Sequence, residues 1–256
     1  MSAGSGQVAS ALKCVLEKAA AAAQRSGKDN KPRVVAVSKT KPVEAIREAY
    51  EAGQRHFGEN YVQEITDKAP ELPDEIAWHF IGHLQSNKAK ALLDKVPNLG
   101  LVETVDTEKL ANKLNNAVEQ LGRPPLAVFV QVNTSGEDTK YGVEPSDCTK
   151  LAQHIKDSCG HLRFAGLMTI GQPDYSSKPE NFECLERCRQ EVCEKLKLQP
   201  SDIELSMGMS QDYEQAIEMG STNVRVGSTI FGARDYAKWT ERPRDKEQEP
   251  ADSDSS

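Results

Sequence analysis

The chain has 256 residues, 38% of them hydrophobic, which is enough for one substantial core and suits either one large α/β domain or two small ones. Its 32 basic and 39 acidic side chains leave a net charge of −7, so no global positive field is present to hold a nucleic-acid backbone or an anionic membrane. A local pocket for a small anion escapes that argument, because it needs only one or two cations and a few backbone N–H groups.

No apolar run reaches the roughly 18 to 20 residues of a membrane-spanning helix, and MSAGSGQVASALKCVLEK lacks an apolar signal core with a cleavage site. Acidic Glu17 and a shortage of arginine also argue against a transit peptide, so a cytoplasmic location is expected. The six cysteines form no CxxC, and Cys184, Cys188 and Cys193 are spaced as positions along one helix. Reduced thiols are expected. None of the five histidines stands at metal-ligand spacing to these cysteines, so no metal is expected.

Residues 7–26 place Val8, Leu12, Val15, Leu16 and Ala19 on one helical stripe, which predicts an extra helix in an N-terminal extension, 1–29. Apolar, β-branched segments then recur with helical stretches between them: 33–39, 54–58, 77–82, 99–105, 126–133, 162–168, 203–207 and 223–228. Their near-continuous apolar character suits strands of a parallel sheet buried on both faces. Gly53, Gly122, Gly160 and Gly220 each close a helical pattern ahead of a strand, and Ser86, Thr107 and Ser146 are candidate N-caps. PDYSSKPE (173–180) reads as a surface loop, and residues 237–256 as a disordered acidic tail. Eight βα units predict a single α/β domain, a (β/α)8 TIM-type barrel over 30–236, with an open doubly wound sheet as the alternative.

In such a barrel, ligands bind at the C-terminal ends of the strands. Lys39 ends the run VVAVSK; it either reaches water past the strand end or, desolvated in the barrel mouth, supplies a neutral amine for a Schiff base. Lys41 ranks second, because Pro42 makes it part of the turn. In SMGMS (206–210), Gly208 would let the backbone approach a ligand and Ser210 would stand at a helix N-terminus; an ordinary capped turn explains the same residues. Gly227, Ser228 and Thr229 follow the last strand, where a phosphate cradle is commonly built. Asn60, in GEN (58–60), reads as a helix cap or a ligand contact, and His79 and His83 as hydrogen-bonded structural residues. No phosphate loop, Rossmann fingerprint or nucleophile elbow is present.

Six blocks in register carry a family resemblance: AVSKTKP (36–42), FGENYVQE (57–64), WHFIGHLQ (78–85), LMTIG (167–171), LSMGMSQDYEQAI (205–217) and VRVGSTIFGARDY (224–236). On these the chain resembles the pyridoxal phosphate homeostasis protein family, also called the proline synthase co-transcribed homologue family. The resemblance implies a fold-type III barrel like the N-terminal domain of alanine racemase, with pyridoxal 5′-phosphate (PLP) in its mouth. It implies Lys39 as the Schiff-base lysine and Ser210, Gly227 and Ser228, with Thr229, as phosphate-binding residues. Asn60 and Met207 fall on pocket-lining positions, and Arg225 on the position facing the pyridine nitrogen. A cation there disfavours protonation of that nitrogen and weakens the ring as an electron sink.

The implied function is vitamin B6 homeostasis, in which PLP is held and buffered or delivered, without established turnover, to acceptors such as PLP-requiring apo-enzymes. The alternative is a PLP-dependent amino-acid enzyme, a racemase or decarboxylase of narrow specificity; a third reading is an interaction protein whose liganded state a partner senses. Racemization takes an acid or base on each face of the α-carbon, and in alanine racemase one comes from a second domain of a partner subunit. The sequence shows no such domain after the barrel, so a monomer without that second base is expected.

Overall fold

Eight short strands pair in sequence order, each parallel to the next: β1 (Arg33–Val37), β2 (His56–Glu59), β3 (Ala77–Phe80), β4 (Leu99–Val105), β5 (Leu126–Gln131), β6 (Leu162–Met168), β7 (Glu204–Ser206) and β8 (Asn223–Val226). β8 returns to β1, with Val35 opposite Arg225, and closes the barrel. The open-sheet alternative is thereby excluded. The computed structural model describes residues 6–27, 31–136, 141–171 and 179–233. The expected tail, 237–256, and residues 1–5 and 28–29 of the expected N-terminal extension lie outside them.

The helices are α1 (Gln7–Arg25), α2 (Val43–Glu51), α3 (Val62–Lys68), α4 (Ala89–Lys95), α5 (Glu108–Gln120), α6 (Pro145–Ser158), α7 (Pro179–Leu196), α8 (Tyr213–Glu218) and α9 (Ser228–Phe231). Alternation along the strands sends one set of side chains outward to these helices, among them Phe57, Trp78, Phe80, Val102, Val128, Leu205 and Val224, and this outer layer is the main apolar core. The barrel interior is divided. Leu101, Ala127, Phe129, Ala165 and Met168 form a small apolar cluster beneath β4–β6. Across from it, His56, His79, Glu103, Ser206, Asn223 and Arg225 make a hydrogen-bonded chain.

α1 is the expected extra helix and buries Leu12, Val15, Ala19, Ala22 and Ala23 against the barrel's helices, including α8 and α9. Leu16 is a correction to the expected stripe: it is 40% exposed, because the buried face continues toward Ala22 and Ala23 instead. No side chain of its own caps α1. Glu48 of α2 does so, its Oε1 accepting from the N–H groups of Gly6, Val8 and Ala9 at 2.9, 2.9 and 3.1 Å.

Thr107 is the N-cap of α5, its hydroxyl accepting from the Leu110 N–H at 3.2 Å. Ser86 and Ser146 are not caps. Ser86 opens a 3-10 turn, and Ser146 lies inside the first turn of α6, where Glu144 precedes the helix and Pro145 begins it. Gly53, Gly122 and Gly220 take the expected left-handed conformation; Gly160 does not, α6 having ended at Cys159 with φ −117° and ψ 71°. The expected loop 173–180 gives way to helix at Pro179, and 172–178 lie outside the described residues.

Cys184, Cys188 and Cys193 fall on α7 as expected, and all six cysteines are free. Among the described residues, no helix is long and apolar enough to cross a membrane.

Candidate ligand site at the barrel mouth

The C-terminal ends of the strands surround a cavity of about 340 Å³. Lys39, Asn60, Ser210, Arg225, Gly227 and Ser228 all line it, so residues separated by up to 189 positions in sequence converge as expected. Lys41 lines it too, with its Nζ donating to the Ala233 carbonyl at 2.5 Å. Ile81, Ile170, Met209 and Asp212 complete much of the wall.

β1 delivers Lys39 by simple alternation. Val37 and Lys39 face the cavity, while Ser38 between them turns outward and donates its hydroxyl proton to Glu59 Oε1 at 2.7 Å. The Lys41 N–H donates to the Ser38 carbonyl at 3.0 Å, so residues 38–41 form a tight turn. Thr40 within it has φ 63°, a left-handed conformation costing a β-branched residue on the order of 1–3 kcal/mol unless its surroundings enforce it.

Asn60 follows β2, and its Oδ1 is buried with no hydrogen-bond partner. An orphaned acceptor in a cavity wall is a place where a ligand donor satisfies an otherwise costly group. On the opposite wall, the loops after β7 and β8 are tied together: the Gly227 N–H donates to Ser210 Oγ at 3.1 Å. Ser210 is not the N-cap of α8. Asp212 is, and its carboxylate accepts from the Met209 N–H at 2.6 Å, which closes the turn carrying Ser210. Burial chiefly raises the Asp212 carboxyl above its ordinary range, with the Met209 N–H and Arg225 opposing.

Three expected roles change. Met207 is wholly buried in the outer apolar layer rather than on the cavity wall, since it is out of phase with the inward-facing Ser206; Met209 lines the cavity instead. Thr229 does not line the cavity, although its hydroxyl reaches the Ser210 carbonyl at 3.5 Å. Gly208, at φ 94°, makes room for α8 rather than for a ligand, because a Cβ there would lie 2.5 Å from that of Ala216.

Arg225 forms the buried floor. It donates to Ser206 Oγ at 2.5 Å and to the Thr169 carbonyl at 2.7 Å, and lies 4.0 Å from Glu103. Glu103 in turn accepts from Ser206 Oγ at 2.5 Å, from Asn223 and from His79 Nδ1 at 2.7 Å. Burial alone would raise the Glu103 carboxyl; the His79 hydrogen bond and charge, the Arg225 charge and the Ser206 hydroxyl outweigh it and hold it below its ordinary range. An ionised Glu103 only accepts, so His79 carries a proton on Nδ1, and its Nε2 lies 3.1 Å from His56 Nδ1. His79 is thus the hydrogen-bonded structural histidine expected, whereas His83 stacks on Tyr141 with ring centroids 3.6 Å apart.

Sequence reasoning missed Glu103, Ser206 and Asn223. The one signal was a carboxylate inside the apolar run LGLVETV, where a buried charge requires a partner. Together the site presents a primary amine, a hydroxyl-and-amide turn, an orphaned amide oxygen and a counter-ion-backed guanidinium. That set can hold a small ligand bearing both an anionic group and a carbonyl.

Residues 12–235 match the family described as alanine racemase, N-terminal domain. The chain is 50% identical over 252 residues to the pyridoxal phosphate homeostasis protein of Bos taurus, covering 94% of this chain and 92% of that protein. It is 52% identical over 240 residues to the protein of the same name in Mus musculus, covering 89% and 87%. Among solved structures, PipY of Synechococcus elongatus with PLP bound superposes with a TM-score of 0.72 at 33% identity, covering 88% of this chain and all of that one.

Proposed function

The chain belongs to the pyridoxal phosphate homeostasis protein family, and from that premise we propose that it binds PLP as a Schiff base on Lys39 and buffers or delivers it without catalytic turnover. The observation that carries this reading is the convergence of Lys39, Asn60, Ser210, Arg225, Gly227 and Ser228 on one cavity. The residues fit the group: Asn60 Oδ1 is an orphaned buried acceptor, and Gly227 leaves open a space where a Cβ would press on Val37 at 3.3 Å. When bound, PLP supplies an aldehyde carbon for an amine and a pyridine ring that can draw electrons.

The chain's own residues have separate tasks. Lys39 provides the amine. Ser210, Gly227 and Ser228, braced by Thr229, receive the phosphate, and Met207 supports that wall from behind. Arg225, which burial pulls below its ordinary range against the opposing Glu103 and Asp212 charges, would face the pyridine nitrogen, where a guanidinium opposes protonation and disfavours carbanion chemistry. Ile170 lines the cavity and is 44% exposed, so the site opens to the surface on that side, as release to an acceptor requires. The same reading takes 30–236 as the cofactor-holding domain, acting as a monomer in the cytoplasm with apo-enzymes as acceptors.

The test is an absorbance spectrum of the protein incubated with PLP, then borohydride reduction and peptide mapping, alongside Lys39→Ala and an amino-acid turnover screen. The expected result is a near-visible band, a pyridoxyl label on Lys39 that the variant loses, and no turnover above free PLP. A colourless protein with no lysine labelled overturns the cofactor reading. Turnover lost on Lys39→Ala would make the protein an amino-acid enzyme instead.

A further inference from the structure

Behind the barrel wall, directly outside Lys39, lies a buried ionic cluster with no part in lining the cavity. Lys68, at the end of α3, has a side chain 6% exposed and donates from Nζ to three acceptors: the Ser38 carbonyl at 2.9 Å, Glu59 Oε1 at 2.8 Å and Glu64 Oε2 at 2.5 Å. Glu64 also accepts from the Thr40 N–H at 2.9 Å, and Glu59 accepts from the Ser38 hydroxyl at 2.7 Å. The residues on both sides of Lys39 are therefore held from outside by one cation and two carboxylates.

The cluster is expensive to bury. Burial pushes the Glu59 carboxyl up to about 7, with the Glu64 charge adding to the shift and Lys68 opposing it. Glu59 Oε2 and Thr40 Oγ1 are buried with no hydrogen-bond partner. Paired apolar residues would fill this space between β2 and α3 at lower cost, so a purely structural demand does not account for it. What apolar residues cannot do is grip a backbone carbonyl and a backbone N–H two residues apart, on either side of a turn whose Thr40 is left-handed.

We propose that Lys68, with Glu59 and Glu64, is a clamp that fixes the 38–41 turn and thereby aims Lys39 into the cavity. The three are positioning residues, and the inference rests on Lys39 being the cofactor amine. Alternation on a strand end sets only which face a side chain takes; the turn clamp sets how far into the mouth the amine reaches.

The experiment uses the full chain and reads two things: hydrogen exchange at the Thr40 amide without PLP, and the rate of pyridoxyl labelling at Lys39 with PLP and borohydride. Lys13, whose side chain is 78% exposed, serves as the internal reference. In Lys68→Met, faster exchange is expected, with Lys39 labelling relative to Lys13 falling by about tenfold or more and label appearing on Lys41. Lys68→Arg, which retains a multiple donor, restores most of both. Should Lys68→Met fail to fold, Glu64→Gln gives the same changes in smaller measure. A lower melting temperature with the Lys39 to Lys13 ratio unchanged in the folded protein overturns the proposal, as does faster exchange with unchanged labelling. Absence of any Lys39 label in the wild-type protein sinks the cofactor reading alone; the clamp is then decided by exchange, and unaltered Thr40 protection in Lys68→Met overturns it.

Discussion

Gly82 and Asn60 are in backbone contact, so close that a Cβ on Gly82 would stand 2.0 Å from the Asn60 carbonyl oxygen. The carbonyl of Gly82 is itself fixed, accepting from the Thr104 hydroxyl at 2.7 Å. The β3 loop therefore sets the position of the β2 loop, and with it the Asn60 side chain at the cavity. Gly82→Ala is expected to destabilise the protein by about 2–4 kcal/mol, because neither backbone can retreat. Urea unfolding measures the loss, and an unchanged midpoint would show that the loops are separable.

The bond from Gly227 to Ser210 predicts a specific ligand effect. Ser210→Ala removes the acceptor of the Gly227 N–H and one hydroxyl donor from the turn. Affinity for PLP is expected to fall about tenfold, near 1.4 kcal/mol, while affinity for pyridoxal, which lacks the phosphate, stays the same. Equal losses for both ligands would place the phosphate elsewhere in the cavity.

Arg225 depends on a counter-ion that never reaches the cavity wall. Glu103→Ala leaves the guanidinium buried without its carboxylate and strips Ser206, Asn223 and His79 of a shared acceptor. The expected cost is about 3–5 kcal/mol, typical of breaking a buried ion pair by removing one partner. Thermal unfolding of Glu103→Ala and of the double variant Glu103→Ala/Arg225→Met separates the two causes: the double variant recovers part of the loss if an unpaired charge is the reason.

The α5 cap provides a test of local encoding. Thr107→Ala is expected to cost about 1 kcal/mol, with no change in PLP affinity, since the cap serves one helix end and touches nothing in the cavity. A drop in affinity would mean that α5 reports to the mouth through β4.

What could be read from the sequence divides along these same lines. The eight strands were legible because each is a short apolar run between helical stretches, and Thr107 because a cap is a local pattern. Lys39, Ser210 and Gly227 were legible because they stand at strand ends, where a polar residue has to be explained. Met207 is a pocket-lining position by family resemblance alone, and alternation out of β7 turns it away from the cavity, one residue past the inward-facing Ser206. Lys68 stands at a helix end with no local signal, and nothing in the sequence connects it with Ser38, 30 residues earlier. The chain from His56 to Arg225 is assembled from five strands, so no single segment contains its pattern.

Half-buried His56 and buried Glu59 give opposite pH dependences in nearly the same window. Burial chiefly, with His79 and Arg33 adding and Glu103 opposing, lowers the His56 pKa from 6.5 to about 4. The folded ring thus holds a proton less well than the unfolded one, and its contribution to stability is complete above 6.5 and lost as pH falls toward 4. Glu59 is the reverse: raised from 4.5 to about 7, it contributes fully below 4.5 and less as pH rises through 7. In the wild-type protein the two slopes offset each other between pH 4.5 and 6.5. His56→Gln should leave stability falling with rising pH, and Glu59→Gln should leave it rising. Each change is expected to reach about 2 kcal/mol across the window, after allowing for solvent screening of the half-buried His56 ring. Urea midpoints at half-unit pH steps measure both slopes, and parallel curves for the two variants would show that neither group titrates as its surroundings require.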